Sequence, residues 1–211
     1  MLKENRLARR TRPTVWVSAL FASCVLGAAA PGFADESAGS AKEPEKLSVF
    51  GKGTIEVPAE FERTEPANRM IEDEFVAKAG EGDDAKTARL YMMPSGGSVQ
   101  LNVDRWKSQF TGGGEDSFQS ESTKVGNWDV IVAEASGTYK DRMDGGPFAP
   151  GRIVERPDYA MLAAIVVPPA PGDQDVSPDR RQKYFVKMIG PKEVIEANRD
   201  AFLGMVKGLQ E

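Results

Sequence analysis

The residues that could support chemistry are concentrated in one stretch, residues 140–156, which reads KDRMDGGPFAPGRIVER. Its three glycines let a backbone approach a ligand closely, and its two prolines stiffen the chain. Long loops in compact domains often carry function. We therefore predict a binding loop whose site consists of Asp141, Arg142, Asp144, Gly145, Gly146 and Phe148.

The aromatic residue of this stretch, Phe148, has two interpretations. Pro147 and Pro150 flank it and would present its ring to a protein partner, which is how apolar anchors act in interfaces. In the other interpretation the stretch is a packed Ω-loop with Phe148 in the core. The site hypothesis rests on the first.

Catalytic chemistry is restricted by the absence of histidine and by a single cysteine, Cys24. The absence excludes serine-histidine-acid and cysteine-histidine catalysis, HExxH zinc sites and histidine-ligated haem or copper within this chain. Carboxylate chemistry remains, and it needs two facing carboxyl groups about 5–10 Å apart. Asp141 or Asp144 opposite Glu155 would form the pair of a carboxylate- or metal-dependent hydrolase, which is the alternative function.

A second acidic segment imitates the start of a calcium-binding EF-hand loop. Asp173, Asp175 and Ser177 stand at positions one, three and five, where oxygen ligands are required. Pro178 then replaces the glycine of position six, and Tyr184 replaces the bidentate glutamate of position twelve. We expect no metal and no cofactor, with a calcium-binding extracytoplasmic protein as an alternative.

The N-terminal segment has the three parts of a secretory signal peptide. Residues 1–34 comprise a basic stretch, an apolar run over residues 15–30, and small residues before Asp35. The apolar run has 16 residues, fewer than the roughly 20 that span a membrane. We expect export to the periplasm or the extracellular space. Cys24 closes Phe-Ala-Ser-Cys, which resembles a lipobox, so lipid anchoring through Cys24 stays an alternative to removal with the signal peptide.

The charge of the exported part argues against nucleic acid binding. Without residues 1–34, 22 Lys and Arg remain against 31 Asp and Glu, a net charge of −9. Such a chain repels phosphate backbones. We expect a protein partner in the cell envelope, and contact with a membrane only through the signal peptide or a lipid anchor.

The remaining chain divides into a flexible tether and one domain. Residues 35–46 are small and charged and cannot bury enough apolar surface to offset the entropy of ordering. Residues 47–211 form a single domain of common size. Strands are predicted at 47–50, 54–57, 71–78, 86–93, 122–125, 128–139, 158–167 and 183–189, and helices at 98–110 and 192–209.

These elements predict an α+β domain, an antiparallel sheet with helices packed on its faces. Their order resembles the PsbP and Mog-type fold, an α/β/α sandwich shared by photosystem extrinsic proteins and a Ran-binding protein. Residues 102–106, 137–139 and 145–151 are also similar to an uncharacterised group of exported bacterial proteins of planctomycete type. The resemblance implies architecture and compartment and carries no activity. The sequence thus predicts an exported, non-enzymatic binding or accessory module.

Overall fold

The computed structural model describes residues 43–143, 151–172 and 176–211. Within them the chain forms ten strands and three α-helices. In chain order these are β1 (Glu45–Val49), β2 (Gly53–Val57), β3 (Glu62–Thr64), β4 (Asp73–Ala79), β5 (Lys86–Ser95), α1 (Val99–Ser108), β6 (Phe110–Thr111), β7 (Phe118–Val125), β8 (Trp128–Met143), β9 (Arg152–Val167), β10 (Lys183–Pro191), α2 (Lys192–Ala197) and α3 (Arg199–Lys207).

Eight of the strands form one antiparallel sheet, and β1 and β2 form a separate hairpin. The order across the large sheet is β3-β4-β5-β10-β9-β8, and β6 and β7 share the outer edge of β8. The strand predicted at 158–167 is confirmed by β9, which lies between β8 and β10 and is buried over Ala160–Val167. The strands predicted at 71–78 and 86–93 are confirmed as the hairpin β4–β5, and those at 122–125 and 128–139 as the hairpin β7–β8.

The two faces of the large sheet are covered differently. One, the closed face, packs against the β1–β2 hairpin, α2 and α3, with Ile55, Phe75 and Phe202 among its core residues. The other, the open face, packs against α1, whose Val103 and Trp106 contact the sheet. Among the described helices, α1 alone contributes to this second core.

The predicted helix over residues 98–110 is confirmed by α1, and local chemistry explains its start. The Oγ atom of Ser98 accepts a hydrogen bond from the Leu101 amide at 3.1 Å, which caps the first turn. Trp106 is 2% exposed and packs edge-on against Phe185. This packing fixes the end of α1 above β10.

The expected fold, an α+β domain with helices packed on the sheet faces as an α/β/α sandwich, is wrong. The described residues form mostly antiparallel sheet, with 52% strand and 21% helix when three short 3₁₀ turns are included. Their α-helices have 10, 6 and 9 residues, too few for complete helical layers. The predicted C-terminal helix is interrupted at Asn198, where φ is −107° and ψ is 10°. The Asn198 side-chain amide donates to the carbonyl oxygens of Lys78 and Val194.

The prediction of a loop over residues 140–156 is also wrong, because much of this stretch is strand and adds to the sheet. β8 continues to Met143 and β9 begins at Arg152. At the other end of the domain, β1 begins at Glu45, inside the stretch expected as a tether. The predicted signal peptide lies outside the described residues.

Candidate functional site

Polar and aromatic side chains gather on the open face beside the C-terminal end of α1. We call them the tyrosine–arginine patch. Tyr91 and Lys187 are direct neighbours on β5 and β10, and the Arg89 guanidinium lies 5.5 Å from the centroid of the Tyr91 ring. The patch consists of Arg89 and Tyr91 from β5, Arg105 from α1, Tyr139 from β8, Tyr159 from β9 and Lys187 from β10.

Strand alternation places these residues on the open face. On β5, Ala88, Leu90 and Met92 belong to the core of the closed face, so Arg89 and Tyr91 point the other way. The same parity on β10 sends Val186 and Met188 to the closed face. It directs Lys187 to the open face, under α1.

The ammonium group of Lys187 is the most unusual feature of the patch. The residue is 3% exposed, and its Nζ atom donates to Gln109 Oε1 at 2.9 Å and lies 5.8 Å from the centroid of the Trp106 ring. No carboxylate of the described residues lies within ion-pair distance of it. Burial, aided by the positive charges of Arg105 and Arg89, lowers the pKa of Lys187 to about 7.

The carboxylate nearest to the patch is already engaged. Glu74, which is 4% exposed, accepts from Arg89 Nε at 2.7 Å and from the Ala67 amide at 2.8 Å. Burial would raise its pKa, but these hydrogen bonds lower it overall. Glu74 therefore stays charged and neutralises Arg89, not Lys187.

A β-bulge brings the two remaining tyrosines together. Gly137 pairs with Tyr159 while Tyr139 pairs with Arg156, so β9 has one extra residue at this point. The φ of Gly137 is 136°, and a Cβ atom there would lie 2.5 Å from the Thr111 carbonyl oxygen, so only glycine fits. The Tyr139 and Tyr159 rings consequently stack, with centroids 6.1 Å apart and planes 8° from parallel.

The phenol groups of the patch are hydrogen-bond donors at neutral pH. Burial, with a smaller contribution from Tyr139, raises the pKa of Tyr91 to about 12. Burial and the negative charge of Asp141 raise the pKa of Tyr139. Together with Arg89, Arg105 and Lys187, these groups favour recognition of a negatively charged ligand.

The predicted site is only partly inside the described residues. Asp141 and Arg142 lie near the end of β8, and Asp141 Oδ2 is 3.4 Å from Arg156 Nε. The other predicted site residues, Asp144, Gly145, Gly146 and Phe148, and the proposed lipidation site Cys24 lie outside the described residues.

The carboxylate pair considered for a hydrolase does not form from Asp141 and Glu155. Asp141 is opposite Val154, whereas Glu155 is opposite Lys140, one position earlier on β8. Cross-strand partners share a face and successive residues alternate, so Asp141 and Glu155 point to opposite faces. Two such groups cannot act together on one bond.

Sequence reasoning missed the tyrosine–arginine patch. The available signal was Lys187 itself, a lysine in the middle of the apolar strand YFVKMIG. Its burial depends on α1, which the sequence places far away along the chain. Arg89 and Tyr91 gave no signal, because alternating polar residues are usual on a strand with one solvated face.

Within residues 43–143, 151–172 and 176–211 no group of three or more Cys, Asp or Glu could hold a metal ion. Asp173 and Asp175 of the EF-hand-like segment lie outside them. No helix in this part of the chain is long and apolar enough to span a membrane. No protein-family model matches the chain, and no curated protein matches its sequence.

Proposed function

We propose that the protein is an exported, non-enzymatic binding or accessory module that recognises a protein partner in the cell envelope. The carrying observation is a hairpin arm, formed by residues 140–143 of β8 and 152–155 of β9. Within the described residues these two segments form a ladder with each other and with no other strand, since β6 pairing ends at Tyr139 and β10 pairing begins at Tyr159. One backbone hydrogen bond, from the Lys140 amide to the Gln109 carbonyl oxygen at 2.8 Å, holds the base of the arm. At about 3.3 Å per residue, the four residues of β8 extend roughly 13 Å.

The surface of the arm supports a role in recognition. Ile153 is 53% exposed, although isoleucine is usually buried, and its neighbours on the same face are the charged residues Arg142, its cross-strand partner, and Glu155. An exposed apolar side chain with a polar rim is the usual form of an interface anchor. The segment that joins the two strands carries Phe148, which would add a second anchor.

Export and the absence of catalysis rest on the sequence. The three-part N-terminal segment supports secretion, and the only cysteine lies within it. The exported domain then has neither imidazole nor thiol. Its carboxylate, guanidinium and aromatic groups suit recognition.

The test is a pull-down from an envelope extract with the Ile153→Ser variant. We expect at least a tenfold loss of the captured partner, because the anchor is removed without touching the core. The matched control is Leu101→Ser, since Leu101 is an apolar residue on α1 that is 68% exposed and lies outside the arm. Equal capture by wild type and Ile153→Ser, or equal loss with Leu101→Ser, would contradict the proposal.

A further inference from the structure

The charges of the tyrosine–arginine patch do not balance within the described residues. Glu74 neutralises Arg89, and Asp141 pairs with Arg156. Arg105 donates from Nη2 to the neutral Asn102 Oδ1 at 2.8 Å, and Lys187 donates to the neutral Gln109 side chain. Arg105 and Lys187 therefore remain as two cations without a carboxylate in ion-pair distance.

A buried cation without a counter-charge is costly, and proteins normally pair it. On the same strand Lys183, which is 1% exposed, donates to the backbone carbonyl oxygens of Asp179 and Arg181 at 3.0 Å each. Lys187 has one neutral side-chain acceptor and two positively charged neighbours. A bound anion would supply the missing negative charge.

The number and kind of donors define this anion. The Nη groups of Arg89 make no hydrogen bond within the described residues, and Tyr91 and Tyr139 carry protonated hydroxyls. All of these groups donate, which suits a ligand that only accepts, such as an oxyanion. A bound anion would raise the pKa of Lys187 and hold it protonated, so that it and Arg105 together carry two positive charges. Two such charges match a phosphate monoester, which carries close to two negative charges at neutral pH.

We propose that the tyrosine–arginine patch binds a phosphate monoester group, with Arg105 and Lys187 balancing its charge and Arg89, Tyr91 and Tyr139 donating hydrogen bonds. The group belongs either to a small soluble ligand or to a lipid such as phosphatidic acid. This site is separate from the Ile153 anchor, so it stands or falls independently of partner recognition by the hairpin arm.

The experiment measures binding of inorganic phosphate by calorimetry and of phosphatidic acid vesicles by co-sedimentation, with phosphatidylcholine vesicles as the blank. Arg105→Gln and Lys187→Met should each weaken binding at least tenfold. The matched control, Lys107→Gln on α1, should stay within about twofold of wild type. Arg105 is exposed, so its variant keeps the test valid if a buried substitution disturbs folding.

The outcomes distinguish a soluble phosphate ligand from a lipid headgroup, and they also test the phosphate site itself. Phosphate binding without vesicle binding supports a soluble ligand, and vesicle binding supports a lipid headgroup. The proposal is overturned if wild type binds neither probe saturably, or if Lys107→Gln loses as much affinity as Arg105→Gln. Ile153→Ser should bind phosphate like wild type, whatever its effect on partner capture.

Discussion

Lys183 and Lys187 lie four residues apart on β10, both point to the open face, and both are buried. At Lys183 the chain that precedes β10 turns back and places two backbone carbonyl oxygens at the ammonium group. At Lys187 the neighbouring element is the end of α1, which offers one amide oxygen and two arginine-derived positive charges nearby. The ammonium group of Lys183 is bonded by two backbone carbonyl oxygens of the fold, whereas that of Lys187 has no negatively charged partner among the described residues.

The largest expected change in the free energy of unfolding is at Lys183, where the fold supplies the acceptors of the ammonium group. Lys183→Met removes both hydrogen bonds and leaves two carbonyl oxygens without that donor, so the free energy of unfolding should fall by about 3 kcal/mol. Urea unfolding followed by circular dichroism measures it. An unchanged midpoint would show that the carbonyl contacts do not stabilise the domain.

Lys187→Met should act in the opposite direction. The substitution keeps much of the apolar stem and removes a buried, uncompensated charge, so at pH 7 the free energy of unfolding should rise by about 2 kcal/mol. The same urea experiment at pH 7 tests it. If this variant is destabilised as much as Lys183→Met, the two lysines have the same structural role and the comparison fails.

A further effect is expected in the pH dependence of the free energy of unfolding, and its size per pH unit is the smallest of the three. The pKa of Lys187 is about 7 in the folded chain and 10.5 for an ordinary lysine, so between these values the unfolded chain binds more protons than the folded one. Stability should therefore rise with pH above about 7, by at most about 1.4 kcal/mol per pH unit from this group. Lys187→Met should lack this rise.

Urea unfolding at pH 6, 7, 8 and 9 would give the slope of the free energy of unfolding against pH for wild type and for Lys187→Met. Below pH 7 lysine is protonated in both states and contributes no slope. Tyr91, whose folded pKa is about 12, acts in the opposite sense only near pH 10 and above, so the series avoids it. Parallel curves for wild type and Lys187→Met across the whole series would show that the pKa of Lys187 is not lowered in the folded chain.

Much of the fold could be predicted because its signals are local. The apolar spacing of α1, the cap at Ser98 and the tight turn at Gly126-Asn127 each act within a few residues. The hairpin arm could not be predicted, since both its faces are solvated and it lacks the apolar alternation that marks a strand. Its glycines and prolines indicated a loop instead.

The site was harder to predict than the fold for a different reason. Strand alternation assigns Lys187 to a face, but burial of that face depends on α1 crossing it, which is a tertiary contact. The break at Asn198 is similar, because its amide bonds to Lys78, 120 residues earlier. Such long-range contacts leave no periodic trace in the sequence.

The bulge at Gly137 gives the hairpin arm a mechanical property. A β-bulge interrupts the ladder, bends the strand and increases its twist, so the arm joins the sheet at an irregular point. The side chains at this point are the stacked Tyr139 and Tyr159. A partner that displaces the arm at Ile153 would therefore act first on that aromatic pair, which forms one edge of the tyrosine–arginine patch.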